Sequence, residues 1–218
     1  IDEDVLAEFP DWYKEQTGED IEVIYQTFDI NEIMLTKIER GHEDFDVVCP
    51  SEYIIERMMK KDMLQPINRD FGNTPDYIPN LAPYIQEELN KMSFDERKVT
   101  DYAVAYMWGT AGVLYNKGLV TEEEALTCGS LWDPKFNNKI LMKDSYRDCY
   151  GLSIIYANTE RLQKGEVTVE QLMNDNSKDA IVMAEEYLKM MKPNIAGWEA
   201  DFGKEMMTKG KAWLNFTW

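Results

Sequence analysis

Two short corners of the sequence combine residue types that can hold a cation. Pro50-Ser51-Glu52-Tyr53 sets a hydroxyl and an aromatic ring two residues apart, and Asp144-Ser145-Tyr146-Arg147-Asp148 sets two carboxylates four residues apart with an arginine between them. A carboxylate pairs with an ammonium group, and an aromatic face stacks on a cation or on an aliphatic chain. Each residue also has a plainer reading. Tyr53 suits packing at a helix start, and Asp148 suits a solvated ion pair with Arg147.

The elements around these residues explain why both corners are placed to meet a ligand. The segment 21–28, IEVIYQTF, is β-branched and aromatic, 31–41 has helical apolar spacing ending on Gly41, and 45–50, FDVVCP, is strand-like again. The helix predicted over 51–63 has Ser51 as its N-cap and turns Tyr53, Ile54, Met58 and Met59 toward a sheet. This βαβα rhythm belongs to a parallel sheet covered by helices.

A proline-rich connection from Gln65 to about Pro83 follows, then a short helix, YIQEELN. The apolar run 101–116, DYAVAYMWGTAGVLYN, reads as two strands meeting at a bend, with Tyr106 and Trp108 as core, or as hinge aromatics that touch ligand. A second α/β series then runs through a strand over 139–144, a helix over 145–158, helices in TVEQLMND and KDAIVMAEEYLKMMK, a stop at Pro193 and a strand over 211–218. The Met-rich stretches, KEMMTKG among them, read as helix faces packed on sheets. Open parallel sheets bind ligands beyond the carboxyl ends of their strands, where Ser51, Tyr53, Asp144 and Asp148 fall. The expectation is an α/β protein of two lobes, 1–105 and 106–218, with a hinge and a cleft into which both corners face.

Composition narrows the function classes. Of 218 residues, 41 are Asp or Glu and 23 are Lys or Arg, a net charge of −18 that repels nucleic acid and attracts cations. No apolar run approaches the roughly 20 residues that span a bilayer, and the opening IDEDVL has no signal-peptide character. His42 is the sole histidine, too few for a histidine zinc site and the one imidazole open to a catalytic triad. Cys49, Cys128 and Cys149 are odd in number without C-x-x-C spacing, so free buried thiols are expected rather than a disulfide frame or metal site. No G-x-S-x-G and no phosphate-cradling glycine loop occurs. Neither a metal nor a cofactor is called for.

Five blocks, YQTFDINE, FDVVCPSEYIIERM, YAVAYMWGTAGVLYN, SLWDPKFNNKILMKDSYRD and KAWLNFTW, resemble in order and spacing the spermidine/putrescine-binding proteins of bacterial ABC transporters. The resemblance implies a type II periplasmic-binding fold and the capture of a polyamine, putrescine or spermidine, for delivery to a membrane permease. It also implies a place outside the cytoplasmic membrane, periplasmic or at the cell surface, with lipid anchoring open. Ser51, Tyr53, Asp148 and Trp218 match ligand-contacting positions. Ser145 stands where some relatives carry a second acid, which Asp144 would then supply. Trp218 otherwise reads as sheet core.

The resemblance also implies a chain without the family's first strand and C-terminal third, and Ala105 replaces a proline common before the hinge aromatic. A polyamine is an aliphatic chain with spaced ammonium groups, so carboxylates such as Asp148 would pair with the amines while Tyr53 and Trp218 cover the methylenes. The rival readings are an enzyme on the same scaffold and a ligand-sensing domain of a regulator.

Overall fold

A computed structural model describes residues 2–41, 43–72, 76–200 and 202–218, so His42 lies outside the described residues. The chain divides into two units, 1–108 and 109–218.

The first unit is mainly helical. Helix α1 (Asp2–Thr17) carries Pro10 within it, and α2 (Asn31–Glu39) and α3 (Glu52–Lys60) pack against each other. Ile54 and Met58, one turn apart on α3, meet Met34 and Leu35 of α2, with Tyr53, Ile38 and Val48 at the margin. A 3-10 turn (Ile78–Asn80) leads to α4 (Pro83–Lys91), opened by Pro83, whose missing N–H costs nothing in a first turn. Strands β1 (Ser93–Phe94) and β2 (Arg97–Lys98) form an antiparallel hairpin. Its two-residue turn, Asp95-Glu96, has φ of 51° and 65°. Such a turn normally takes Asn, Asp or Gly followed by Gly, and Glu96 in the second position hid it. The Arg97 guanidinium ties the hairpin to α3, donating to Asp62 Oδ1 at 2.7 Å and to the Met59 carbonyl at 2.9 Å.

Three sequence expectations fail in this unit. The segments 21–28 and 45–50 form no strand ladder, and Ile24 and Val47 are 81% and 84% exposed. Of the run 101–116 a strand forms at Gly112–Tyr115, in the second unit, whereas 101–108 forms no ladder and Tyr106 and Trp108 are exposed rather than core. A β-branched sequence becomes a strand only when a neighbour takes up its N–H and C=O groups. Among the described residues of this unit only the short hairpin has a pairing partner.

The second unit has a four-stranded sheet in the order β3 (Gly112–Tyr115), β6 (Leu214–Thr217), β4 (Ile140–Lys143), β5 (Ile195–Glu199). Between β3 and β4 lie a short helix α5 (Glu122–Ala125), held by the Thr121–Glu124 capping box, and two 3-10 turns. Helices α6 (Tyr146–Ala157), α7 (Thr159–Gln163), α8 (Val169–Asn174) and α9 (Lys178–Met191) connect β4 to β5, and α10 (Gly203–Thr208) connects β5 to β6. Strand β4 is parallel to both neighbours, β5 and β6, while β3 closes the edge antiparallel to β6.

All four β4 residues are buried, and the period of two sorts them between two cores. Ile140 and Met142 join Leu214, Phe216, Phe136, Leu152 and Met191 under α6 and α9, whereas Leu141 meets Met207 and Ala212 under α10. Trp132 stacks on Tyr156 with ring centroids 3.9 Å apart and donates through Nε1 to the Tyr187 carbonyl at 2.8 Å, which fixes α6 beside α9. Gly203 opens α10 so close to β6 that a Cβ there would lie 2.2 Å from Asn215 Nδ2. The strands over 139–144 and 211–218 and the helices around them form as expected. The strand β5 was not foreseen.

No disulfide joins the three cysteines, but only Cys149 is buried; Cys49 and Cys128 are exposed, contrary to expectation. Burial, helped by the Asp148 and Asp144 carboxylates, pushes the Cys149 thiol up from 9.0 to about 11. The unfolded chain then ionises first as pH rises, so stability present below pH 9 is lost toward the folded value. Between about pH 8 and 11 the wild type is expected to lose on the order of 2 kcal/mol relative to Cys149→Ala in denaturant titrations. A stability difference that stays flat over that range would contradict this.

Candidate functional site

The first corner is built where the starts of α2 and α3 meet. Ser51 is the N-cap of α3 by backbone geometry, yet its side chain makes no capping bond. Its Oγ accepts from Asn31 Nδ2 at 3.0 Å, and its backbone N–H donates to Asn31 Oδ1 at 3.3 Å. Asn31 Nδ2 also reaches the Tyr53 hydroxyl at 3.2 Å, and that hydroxyl donates to Glu32 Oε1 at 3.2 Å. One amide thus clamps the serine and the tyrosine, and one carboxylate fixes the phenolic proton.

Tyr53 is half-buried against the α2–α3 core, so the plainer packing reading is also true of its ring. Asn31 and Glu32 escaped the sequence reading. Asn31 looked like an ordinary polar residue at a helix start, and nothing local told that its side chain would cross to α3.

The second corner follows from sheet direction. Because β4, β5 and β6 run parallel, their carboxyl ends share one edge, and this edge collects Lys143 and Asp144 from β4, Ala200 after β5 and Trp218 after β6. Asp144 is exposed and continues the ladder with its N–H donating to the Glu199 carbonyl at 2.9 Å. Ser145 caps α6 by accepting from the Asp148 N–H at 3.3 Å. Asp148 therefore sits in the first helical turn, where the helix dipole favours a negative charge.

Its Oδ2 accepts from Trp218 Nε1 at 3.1 Å. The indole is 64% exposed rather than buried in sheet core, and the Lys143 ammonium lies 4.0 Å from its ring centroid. Arg147 directs its guanidinium to the Met173 carbonyl and to Asn174 Oδ1, on α8. Lys143 is a third residue the sequence reading passed over. A lysine at the end of an apolar strand looked like a solvated boundary, yet it is 6% exposed.

The arrangement holds carboxylates beside an exposed aromatic face, with hydroxyls fixed at a separate corner. Among the described residues no group of three His, Cys, Asp or Glu side chains is gathered to hold a metal, and no helix is long and apolar enough to cross a membrane.

Comparison with known proteins places these features in context. The family described as bacterial extracellular solute-binding protein matches residues 10–218. A spermidine/putrescine-binding periplasmic protein of Salmonella typhimurium is 28% identical over 207 residues, covering 94% of this chain and 53% of the relative. The putrescine-binding periplasmic protein PotF of Escherichia coli is 33% identical over 104 residues, 48% of this chain and 26% of PotF.

Among solved structures, the substrate-binding protein PotD of a spermidine/putrescine ABC transporter from Streptococcus pneumoniae, in complex with calcium and HEPES, aligns with a TM-score of 0.65 and 30% identity, over 97% of this chain and 58% of that one. The Tp0655 lipoprotein of Treponema pallidum aligns with a TM-score of 0.71 at 20% identity, over 96% and 59%, and is similar in fold alone. The α/β fold is that of periplasmic binding proteins, as the sequence led one to expect. The chain spans about half the length of the relatives it matches.

Proposed function

We infer the function from one premise: the chain belongs to the family of bacterial extracellular solute-binding proteins. Members of this family bind and release solutes, so we propose reversible capture of a polyamine, putrescine or spermidine, for an ABC importer at the outer face of the cytoplasmic membrane, without turnover.

The observation that carries this reading is the bond from Trp218 Nε1 to Asp148 Oδ2. It sets a carboxylate at the edge of an exposed indole, so an ammonium paired with Asp148 has its methylenes beside the ring. Asp144 adds a carboxylate at the same strand end; Ser51 and Tyr53, in the first unit, are proposed as ligand contacts on the family resemblance alone. The names of the relatives and the net charge of −18 favour a cationic ligand over an anionic one. Calorimetric titration of the full-length mature protein tests the reading. Putrescine or spermidine is expected to bind at micromolar concentration or below while lysine and calcium give weak or no heat. Absence of heat with both polyamines would overturn it.

The Asn31 clamp supplies a finer prediction. Asn31→Ala removes the donor shared by the Ser51 and Tyr53 hydroxyls. Each such bond contributes about 0.5–1.5 kcal/mol, so polyamine affinity is expected to fall about fivefold by calorimetry. Unchanged affinity would remove Ser51 and Tyr53 from the ligand contacts.

A further inference from the structure

The second corner contains a cation of its own. Lys143 emerges from β4 on the face shared with Leu141, under α10, and is 6% exposed. Its ammonium donates to the Ala200 carbonyl and lies 4.0 Å from the Trp218 ring centroid. A cation therefore lies on the indole of Trp218, a residue that is 64% exposed. Buried Glu199 lies in register opposite Lys143 on the β4–β5 ladder and Arg147 lies between the two aspartates in sequence, so this corner holds three carboxylates (Asp144, Asp148, Glu199) and two cations (Lys143, Arg147), a single net negative charge of which Lys143 is one offset.

A ligand ammonium at Asp148 meets two consequences. It feels the repulsion of Lys143 across or beside the ring, and it finds one uncompensated negative charge rather than two. Like charges on the order of 8 Å apart in a partly desolvated site change an equilibrium by about tenfold. One ammonium at this corner is balanced, whereas a second has no charge to meet.

We propose that Lys143 sets the number of ammonium groups accepted at this corner to one, and thereby selects a diamine over a triamine. The inference rests on the polyamine reading above. Lys143 acts through the field it imposes and by occupying the indole face, without touching the ligand.

The test compares putrescine and spermidine dissociation constants for the full-length wild type, Lys143→Met and Lys143→Arg. Methionine keeps the length of the buried stem and removes the charge; arginine keeps the charge. Lys143→Met is expected to shift the affinity ratio about tenfold toward spermidine, with Lys143→Arg within about twofold of the wild-type ratio. Should the methionine variant fold poorly, Lys143→Gln is expected to give the same shift.

A merely structural role would weaken both ligands equally and leave the ratio alone. Equal changes for the two polyamines, or a shift toward putrescine, would overturn the role of Lys143 while leaving polyamine capture intact. Failure of the wild type to bind either ligand would overturn both readings.

Discussion

Asp148→Asn is expected to weaken polyamine binding by about 2–3 kcal/mol, a factor of roughly 30 to 150 in dissociation constant. The substitution is nearly isosteric and leaves an amide oxygen to accept from Trp218 Nε1, so the indole keeps its orientation while the negative charge disappears. What is lost is the charge-assisted bond to an ammonium. The value lies near the lower end for removing one partner of an ion pair because Asp148 is half-buried, not sealed from water. Calorimetry at low and high salt checks this. The wild type should lose affinity with salt more steeply than the variant. An affinity within threefold of the wild type would remove Asp148 from the site.

Trp218→Ala is expected to have a comparable effect through a different cause. The ring offers a cation about 0.5–2 kcal/mol, and covering part of an aliphatic chain adds roughly 25 cal/mol for each Å² of apolar surface removed from water. Together these give about 2–3 kcal/mol for a slender ligand. Trp218→Phe separates the contributions. It keeps an aromatic face but loses the Nε1 donor that aligns ring and carboxylate, so an intermediate loss of about three- to tenfold is expected. Because the indole is largely exposed, neither variant should unfold the protein, and circular dichroism melting distinguishes a site effect from a packing effect. Full affinity in Trp218→Ala would show that the stacking surface lies elsewhere.

The second unit was largely legible because its local signals agree with its tertiary structure. KILMK is apolar and short, Ser145 caps the helix after it, and Pro193 ends α9 as a stop signal should. Strand β5 escaped because IAGWE is short, contains Gly197 and has no alternation of apolar and polar residues. In the first unit, the sequences 21–28 and 45–50 have the composition of strands but lack a ladder partner among the described residues. Composition reports what a segment could pair with, not whether a partner adjoins it.

The site divides along the same line. Spacing exposed Ser51 with Tyr53 and Asp144 with Asp148, since these pairs are local. The contact of Trp218 with Asp148, 70 positions apart, depends on β6 lying beside β4 in parallel, which no local pattern encodes. Here the resemblance to a known family supplied the tryptophan, and the sheet supplied the physical reason for its place. Asn31 and Lys143 were invisible for a related cause. Each is polar, and each spends its polarity on a distant element, Asn31 on α3 and Lys143 on the turn after β5.

The most direct measurement is the 15N–1H indole resonance of Trp218, assigned by its loss in Trp218→Phe and followed as putrescine is added to the full-length protein. The resonance is expected to move, with the same dissociation constant as the heat of binding, and to stay unmoved at the same concentrations in Asp148→Asn. Saturable heat with a Trp218 resonance that never moves would contradict a polyamine held at the carboxylate–indole corner.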